Sequence, residues 1–330
     1  MAVLASGLAL SLMAAGCGRN NLRAGGPSNA AASSPARPSP AASPAPSPPV
    51  AATPGSPTTA PTQLACVTAT ATQDNGSVAA SLGDVSARLS WVHQGGPGTG
   101  YMSGAKMTLT RAGATLLDVP VVPPAPVNNG GSEWAAGWED LGGVCVELPA
   151  TGLPSVDLVG YAGAMTCCGM VRTYYPGPDG SYRTLDRSLG RGPGSWIQVS
   201  GQVVLMASNP DFNVKFDCGA CSPGPLQAWT VQDGRYIDVT AQFPDRIAAE
   251  AAGWWKSIDG ANPAPLGLVA PWVADECELG RQDSAYATLD QLDAAGKLVI
   301  PNDGVPPTWP EGPAFVSALT SFLVTEGYCH

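Results

Sequence analysis

Histidine is nearly missing from this chain, which has only His93 and His330. That excludes His-based metal motifs and leaves little from which to build a Ser/His or Cys/His catalytic pair. Positive charge is scarce too. Of 16 basic residues, Arg19, Arg23 and Arg37 precede residue 64, and none of the 26 acidic residues does, so residues 64–330 carry 13 basic against 26 acidic side chains. Nucleic-acid binding needs a basic patch, so nucleic acid is excluded as a partner. Long apolar runs are also lacking. Residues 2–15 are uncharged and apolar or small, but too short for a stable membrane span, and no later stretch is longer.

What is present begins with export. The run 2–15 leads into Ala14-Ala15-Gly16-Cys17, which resembles the lipobox of bacterial lipoproteins. The resemblance implies lipidation of Cys17. Ala14 stands where Leu is usual, and no Lys or Arg precedes the apolar run; a start codon placed too late would account for that. The alternative is an ordinary signal peptide cut near Ala15. Residues 28–63 are almost wholly Ala, Ser, Pro and Thr. Such a composition cannot bury enough apolar surface to offset chain entropy, and its prolines keep it extended. The expected order is a signal peptide over 1–17 and a disordered tether over 18–63. The globular part would be extracytoplasmic, lipid-anchored to the cell membrane or otherwise secreted.

Apart from Cys17 there are eight cysteines: Cys66, Cys145, Cys167, Cys168, Cys218, Cys221, Cys277 and Cys329. An even number in an exported chain reads as up to four disulfides. Cys277 and Cys329 end two helical segments and can staple them. Cys218 and Cys221 can close a short loop, and Cys66 and Cys145 lie in strand-like runs of the same region. That leaves Cys167 and Cys168 for each other, although adjacent Cα atoms sit about 3.8 Å apart, below the usual disulfide range. Inter-strand partners for each of them are the alternative.

Two segments align without a gap, 54 residues apart: "CCGMVRTYYPGPDGSYRTLDRSL" from Cys167 and "CSPGPLQAWTVQDGRYIDVTAQF" from Cys221. Each reads strand, Asp-Gly turn, strand. A looser third copy is "AKMTLTRAGATLLDVPV", 105–121. Alternating runs at 85–92 and 144–148 add half-buried strands. From about 243 the period changes. Ile247, Ala251, Trp254 and Ile258 share a helical face, as do Phe315, Leu319, Phe322 and Leu323. Gly280, Gly296 and Gly327 mark helix ends, Asp283 a helix start, and Pro271 a kink or split. The predicted class is α+β: an antiparallel β-hairpin repeat domain over 64–242, partial propeller-like or sandwich, then a small helical subdomain over 243–330.

The pieces "GAMTCCGMVRTYY", "DGRYIDVTAQFPDRIAAEAAGWW", "VADECELGRQDSAYATLDQL" and "FLVTEGY" resemble a family of exported bacterial proteins. Its members join degenerate FG-GAP/VCBS-like β-repeats to a C-terminal helical segment. The resemblance covers most of 85–330 and implies no activity. Intact repeats of that kind carry an Asp-rich calcium loop; "ATGLPSVDLVGY" offers only Asp157, too few oxygen ligands for a hard cation.

Cys218-Gly219-Ala220-Cys221 has dithiol spacing but runs into Pro223 and Pro225 rather than a helix, which favours a structural bridge over redox catalysis. Zinc on Cys167, Cys168, Cys218 and Cys221 is disfavoured because exported thiols oxidise. Glu139-Asp140 and Asp275-Glu276 are the acid pairs that glycoside hydrolysis would need, with nothing to bring them together. Trp134 and Trp138 are candidate stacking surfaces, while Trp229, in mid-strand, reads as core. The expectation is a non-enzymatic, membrane-tethered binding or structural domain with no cofactor and no metal, its partner a cell-wall, glycan or protein ligand. The alternatives are a secreted hydrolase acting on glycans and an extracytoplasmic thiol-disulfide redox protein.

Overall fold

This computed structural model describes residues 62–68, 76–94, 101–122, 140–150, 152–161, 169–190, 192, 194–218, 221–300 and 309–330. Cys17, Cys167, Cys168, Trp134, Trp138 and the side chains of Glu139 and Asp140 lie outside them, as do the signal segment and the tether up to residue 61; Gln63, assigned to the tether, opens the first strand instead.

Among the described residues thirteen strands form three antiparallel sheets. The N-terminal sheet is a meander of β2 (Gly76–Leu82), β3 (Val85–Gln94), β4 (Tyr101–Arg111) and β5 (Ala114–Pro120). The central sheet has the order β1-β6-β7-β8-β9: β1 (Gln63–Thr68), β6 (Asp140–Leu148), β7 (Ser155–Tyr161), β8 (Gly169–Pro176) and β9 (Tyr182–Gly190). The C-terminal sheet is β10 (Ser195–Val199), β11 (Gln202–Ser208), β12 (Leu226–Gln232) and β13 (Arg235–Asp238). None of the three closes on itself. Each repeat copy makes the last hairpin of its sheet: β4–β5, β8–β9 and β12–β13.

The turns explain why these hairpins form. Asp233 and Gly234 both have positive φ, 49° and 70°, between the paired Gln232 and Arg235, as a two-residue hairpin turn of matching twist demands. Ala112-Gly113 repeats this geometry. Asp179-Gly180 does not. There Pro176 pairs with Tyr182 across a five-residue loop in which the Asp179 carboxylate accepts from the Ser181 N–H and hydroxyl. Pro178, with no N–H to donate, and this side-chain turn replace the tight one.

Alternation then decides what faces what. On one face of the central sheet, Val144, Val146, Val156, Leu158, Met170 and Tyr174 pack on Ala87, Leu89, Met107 and Leu109 of the N-terminal sheet. On the other, Cys145, Val159, Val171 and Leu189 meet Trp196, Val203, Leu205 and Trp229 of the C-terminal sheet. Trp229, 1% exposed, is core.

Four helices follow: α1 (Pro244–Ile258), α2 (Leu266–Glu278), α3 (Gln282–Ala294) and α4 (Gly312–Thr325). Ile247, Ala251 and Ile258 are the buried face of α1, and Phe315, Leu319, Phe322 and Leu323 that of α4. Phe212 and Phe216, from the segment after β11, insert among the helices and stack edge-on against Phe322 and Phe315. Gly280, Gly296 and Gly327 have positive φ just past α2, α3 and α4, where an αL residue satisfies the last carbonyls. Two expectations are corrected. Pro271 does not split its helix, since α2 runs through it unbroken, and Asp283 lies inside the first turn of α3, after an Arg281 N-cap. There it faces the positive end of the helix dipole instead of capping it. The described residues belong to one compact unit.

Three disulfides are closed among the described residues. Cys66–Cys145 joins directly opposed residues of β1 and β6, Cys218–Cys221 closes the loop before β12, and Cys277–Cys329 ties the end of α2 to the chain after α4. The Cys218–Cys221 loop sits against α2 at Gly267, where a Cβ would fall 2.0 Å from the Cys221 carbonyl oxygen. Only glycine fits that approach. Disulfides of this number indicate an oxidising, extracytoplasmic setting. No helix among the described residues is long and apolar enough to cross a membrane.

Candidate functional site

The unusual chemistry of this protein lies inside it, in two pairs of carboxyl groups with no cation between them. The first is on the C-terminal-sheet face of the central sheet. Asp157, in mid-β7, is opposed by Cys145 on β6 and Thr173 on β8. Glu147, two residues beyond Cys145, is its diagonal neighbour on the same face. Asp157 and Thr173 are 0% and 1% exposed. The Thr173 hydroxyl donates to Asp157 Oδ1 at 2.5 Å, and the Tyr236 hydroxyl of β13 lies 3.0 Å from the same Thr173 oxygen. Since Thr173 has one proton and gives it to Asp157, Tyr236 must be the donor to Thr173.

Asp157 Oδ2 is buried with no N–H or O–H donor upon it. Glu147, its diagonal neighbour on the same face, adds a like charge beside it. Burial first, and the Glu147 charge second, hold the Asp157 carboxyl well above its ordinary range, with the Thr173 bond opposing them. Burial pushes Glu147 up to about 7. The cation of this layer does not help. The Arg187 guanidinium lies 3.7 Å over the Trp229 ring and 5.5 Å from that of Tyr236, its buried Nε without an acceptor. Burial lowers the Arg187 pKa.

The second pair joins the C-terminal sheet to the helices. Asp275 of α2 is 1% exposed and accepts from Trp254 Nε1 of α1 at 3.1 Å. Glu250 of α1 accepts from the backbone N–H of Leu226, the first residue of β12, at 2.6 Å. Burial, then the Glu250 charge, drives Asp275 up to about 9, against the Trp254 bond. Burial drives Glu250 up to about 7, against the Leu226 bond. Beside them the Tyr328 hydroxyl accepts from Asn209 Nδ2 at 2.8 Å, and burial raises its pKa.

The acid pair Asp275-Glu276 does not converge. Asp275 turns inward while Glu276 pairs with Arg281 on the surface at 3.4 Å, because neighbours on a helix point about 100° apart. The zinc set fails as well, because Cys218 and Cys221 are bonded to each other and offer no thiolates. Asp217 lies within 4.8 Å of both sulfurs and accepts from the Cys218 N–H at 2.7 Å. A carboxylate there raises a thiol pKa rather than lowering it, and the chain continues into β12 instead of a helix.

Sequence reasoning passed over Glu147, Thr173, Tyr236, Arg187 and Glu250. A signal was there: "VCVEL" and "SVDLV" each place an acid within an apolar strand, and Glu250 falls between the apolar Ile247 and Ala251 of α1.

No protein-family model matches the chain, and no curated protein or solved structure does.

Proposed function

We propose that this is a cell-envelope lipoprotein with a non-enzymatic binding or structural role, its β domain carried on the 18–63 tether from a lipid on Cys17. One observation carries the reading: among the described residues the candidate groups are engaged within the fold. Cys218 and Cys221 are joined to each other, Asp157 accepts from Thr173, and Asp275 from Trp254. A hydrolase presents its carboxyls to a cleft, and a thiol oxidant presents a reactive cysteine. In this reading the three sheets are a partial propeller and the helices a terminal subdomain, akin to FG-GAP/VCBS-like repeat proteins. The ligand class this fits is a cell-wall glycan or an envelope protein.

Two experiments test the proposal. Cys17→Ala should move the protein from the membrane fraction to the medium with its melting temperature unchanged; a variant that still fractionates with membranes refutes the anchor. Native protein should be retained on isolated cell wall or envelope extract while heat-unfolded protein is not. Hydrolysis of a glycan panel, lost in an active-site variant, would instead establish the enzyme.

A further inference from the structure

The tether passes into the fold at Thr62 and then β1, and β1 is a slightly buried strand. It lies at the edge of the central sheet, with β6 as its one neighbour there. Gln63, Cys66, Val67 and Thr68 are exposed, and Leu64 is the side chain that packs into a core, where it is only partly buried. So little apolar contact holds a strand weakly. Even so, the entry is fastened. The Thr62 N–H donates to the Gly201 carbonyl at 3.2 Å, and Gln198 Nε2 donates to the Thr62 carbonyl, so the β10–β11 hairpin grips the residue before β1. Gly143 of β6 admits β1 so closely that a Cβ there would lie 2.6 Å from the Val67 carbonyl oxygen. Cys66, in mid-strand, is bonded to Cys145, its directly opposed partner on β6.

We propose that Cys66–Cys145 is a fastening against tension: it passes a pull arriving along the tether from the edge strand to β6, and through β6 to both cores of the β region. This inference rests on the tethered reading above. In an antiparallel pair pulled from one end, the ladder opens pair by pair, and each hydrogen bond meets the load in turn. Tension at Thr62 peels β1 from its first pair onward. Gln63–Leu148, Leu64–Glu147 and Ala65–Val146 precede the disulfide, and the opening stops there. Past that point the load is on a covalent bond.

β6 is suited to receive it. Cys145 is 7% exposed and belongs to the core shared with Val159, Val171 and Trp196. Its neighbours Val144 and Val146 point the other way, into the core shared with Leu89 and Met107. β6 is also paired along its far side to β7. Drawing Cys145 out therefore means disturbing both cores together. The other two bridges do not serve this entry: Cys218–Cys221 closes a local loop, and Cys277–Cys329 ties α2 to the chain after α4.

The test stretches the full chain in optical tweezers, with handles clicked to the tether and to position 290, exposed on α3. Wild type should show no strand-length opening before the fold gives way. Cys66→Ala/Cys145→Ala should add an early event at lower force, about 2 nm long, as β1 leaves at about 3.3–3.6 Å per residue. Cys218→Ala/Cys221→Ala, which also removes a disulfide but leaves the entry intact, should not add it. Should the Cys66/Cys145 variant fail to fold, wild type stretched in a phosphine reductant replaces it, because Cys66 lies at the surface; the same early event should appear on reduction. With no load, amide exchange in Leu64–Val67 should quicken about tenfold or more in the variant while Val156–Val159 of β7 stays protected. Loss of the bond with no early event overturns the proposal, as does an early event of that length in wild type or in the Cys218/Cys221 variant. The lipid plays no part in the stretching, so a failed anchor shows in the Cys17→Ala fractionation and a failed fastening in the force trace.

Discussion

The two faces of the central sheet solve the same packing problem differently. Towards the N-terminal sheet, β6, β7 and β8 present Val144, Val146, Val156, Leu158, Met170 and Tyr174, with Arg172 as the charged group among them and no carboxyl in the cluster. Towards the C-terminal sheet, the same strands present Glu147, Asp157 and Thr173 among Cys145, Val159 and Val171. The first interface rests on burial and on Arg172, which pairs with Asp186 and donates to the Val122 carbonyl. The second depends on burial and on where two protons sit. One residue of offset along β7, from Leu158 to Asp157, separates the two regimes, because successive side chains leave a strand on opposite faces.

The largest effect that sharpens this contrast is Leu158→Ala. Leu158 is 0% exposed between the two sheets, so its truncation should cost about 2–5 kcal/mol. Urea denaturation should return the same loss at pH 5 and pH 8; a loss that varies strongly between them would blur the distinction between the faces. Thr173→Val, on the opposite face, should cost less, about 1–3 kcal/mol, by stripping Asp157 Oδ1 of its donor. Its cost should grow with pH, because the hydroxyl favours the ionised Asp157. Equal costs at both pH values would show that the Asp157 charge state does not change over that range.

Much of the architecture is legible in the residues. The Ala112-Gly113 and Asp233-Gly234 turns announce two of the three terminal hairpins, and the 3.6-residue spacing of Ile247, Ala251 and Ile258 announces α1. Position-dependent detail is less legible. Asp179-Gly180 looks like Asp233-Gly234 in sequence, yet Pro178 and an Asp179 side-chain turn open it to five residues. The carboxyl pairs were harder still. In sequence Asp157 is the lone acid of a segment placed like a calcium loop, whereas it lies in mid-strand and fully buried. Alternation places Glu147 and Asp157 on inward faces, but which acid meets which depends on strand order and register. Glu250 and Asp275 are 25 residues apart and meet only through the packing of α1 on α2. An acid inside an apolar strand or between apolar helix positions is a local signal of burial; its partner is a tertiary fact.

The central claim, that these carboxyls hold protons at neutral pH, is tested most directly by carbon-13 NMR of the side-chain carboxyls of the full chain. Asp157 and Asp275 should show protonated-carboxyl shifts at pH 6, with Asp275 titrating near 9 and Glu147 and Glu250 near 7. Carboxylate shifts for Asp157 and Asp275 already at pH 5, with no titration above it, would contradict the account.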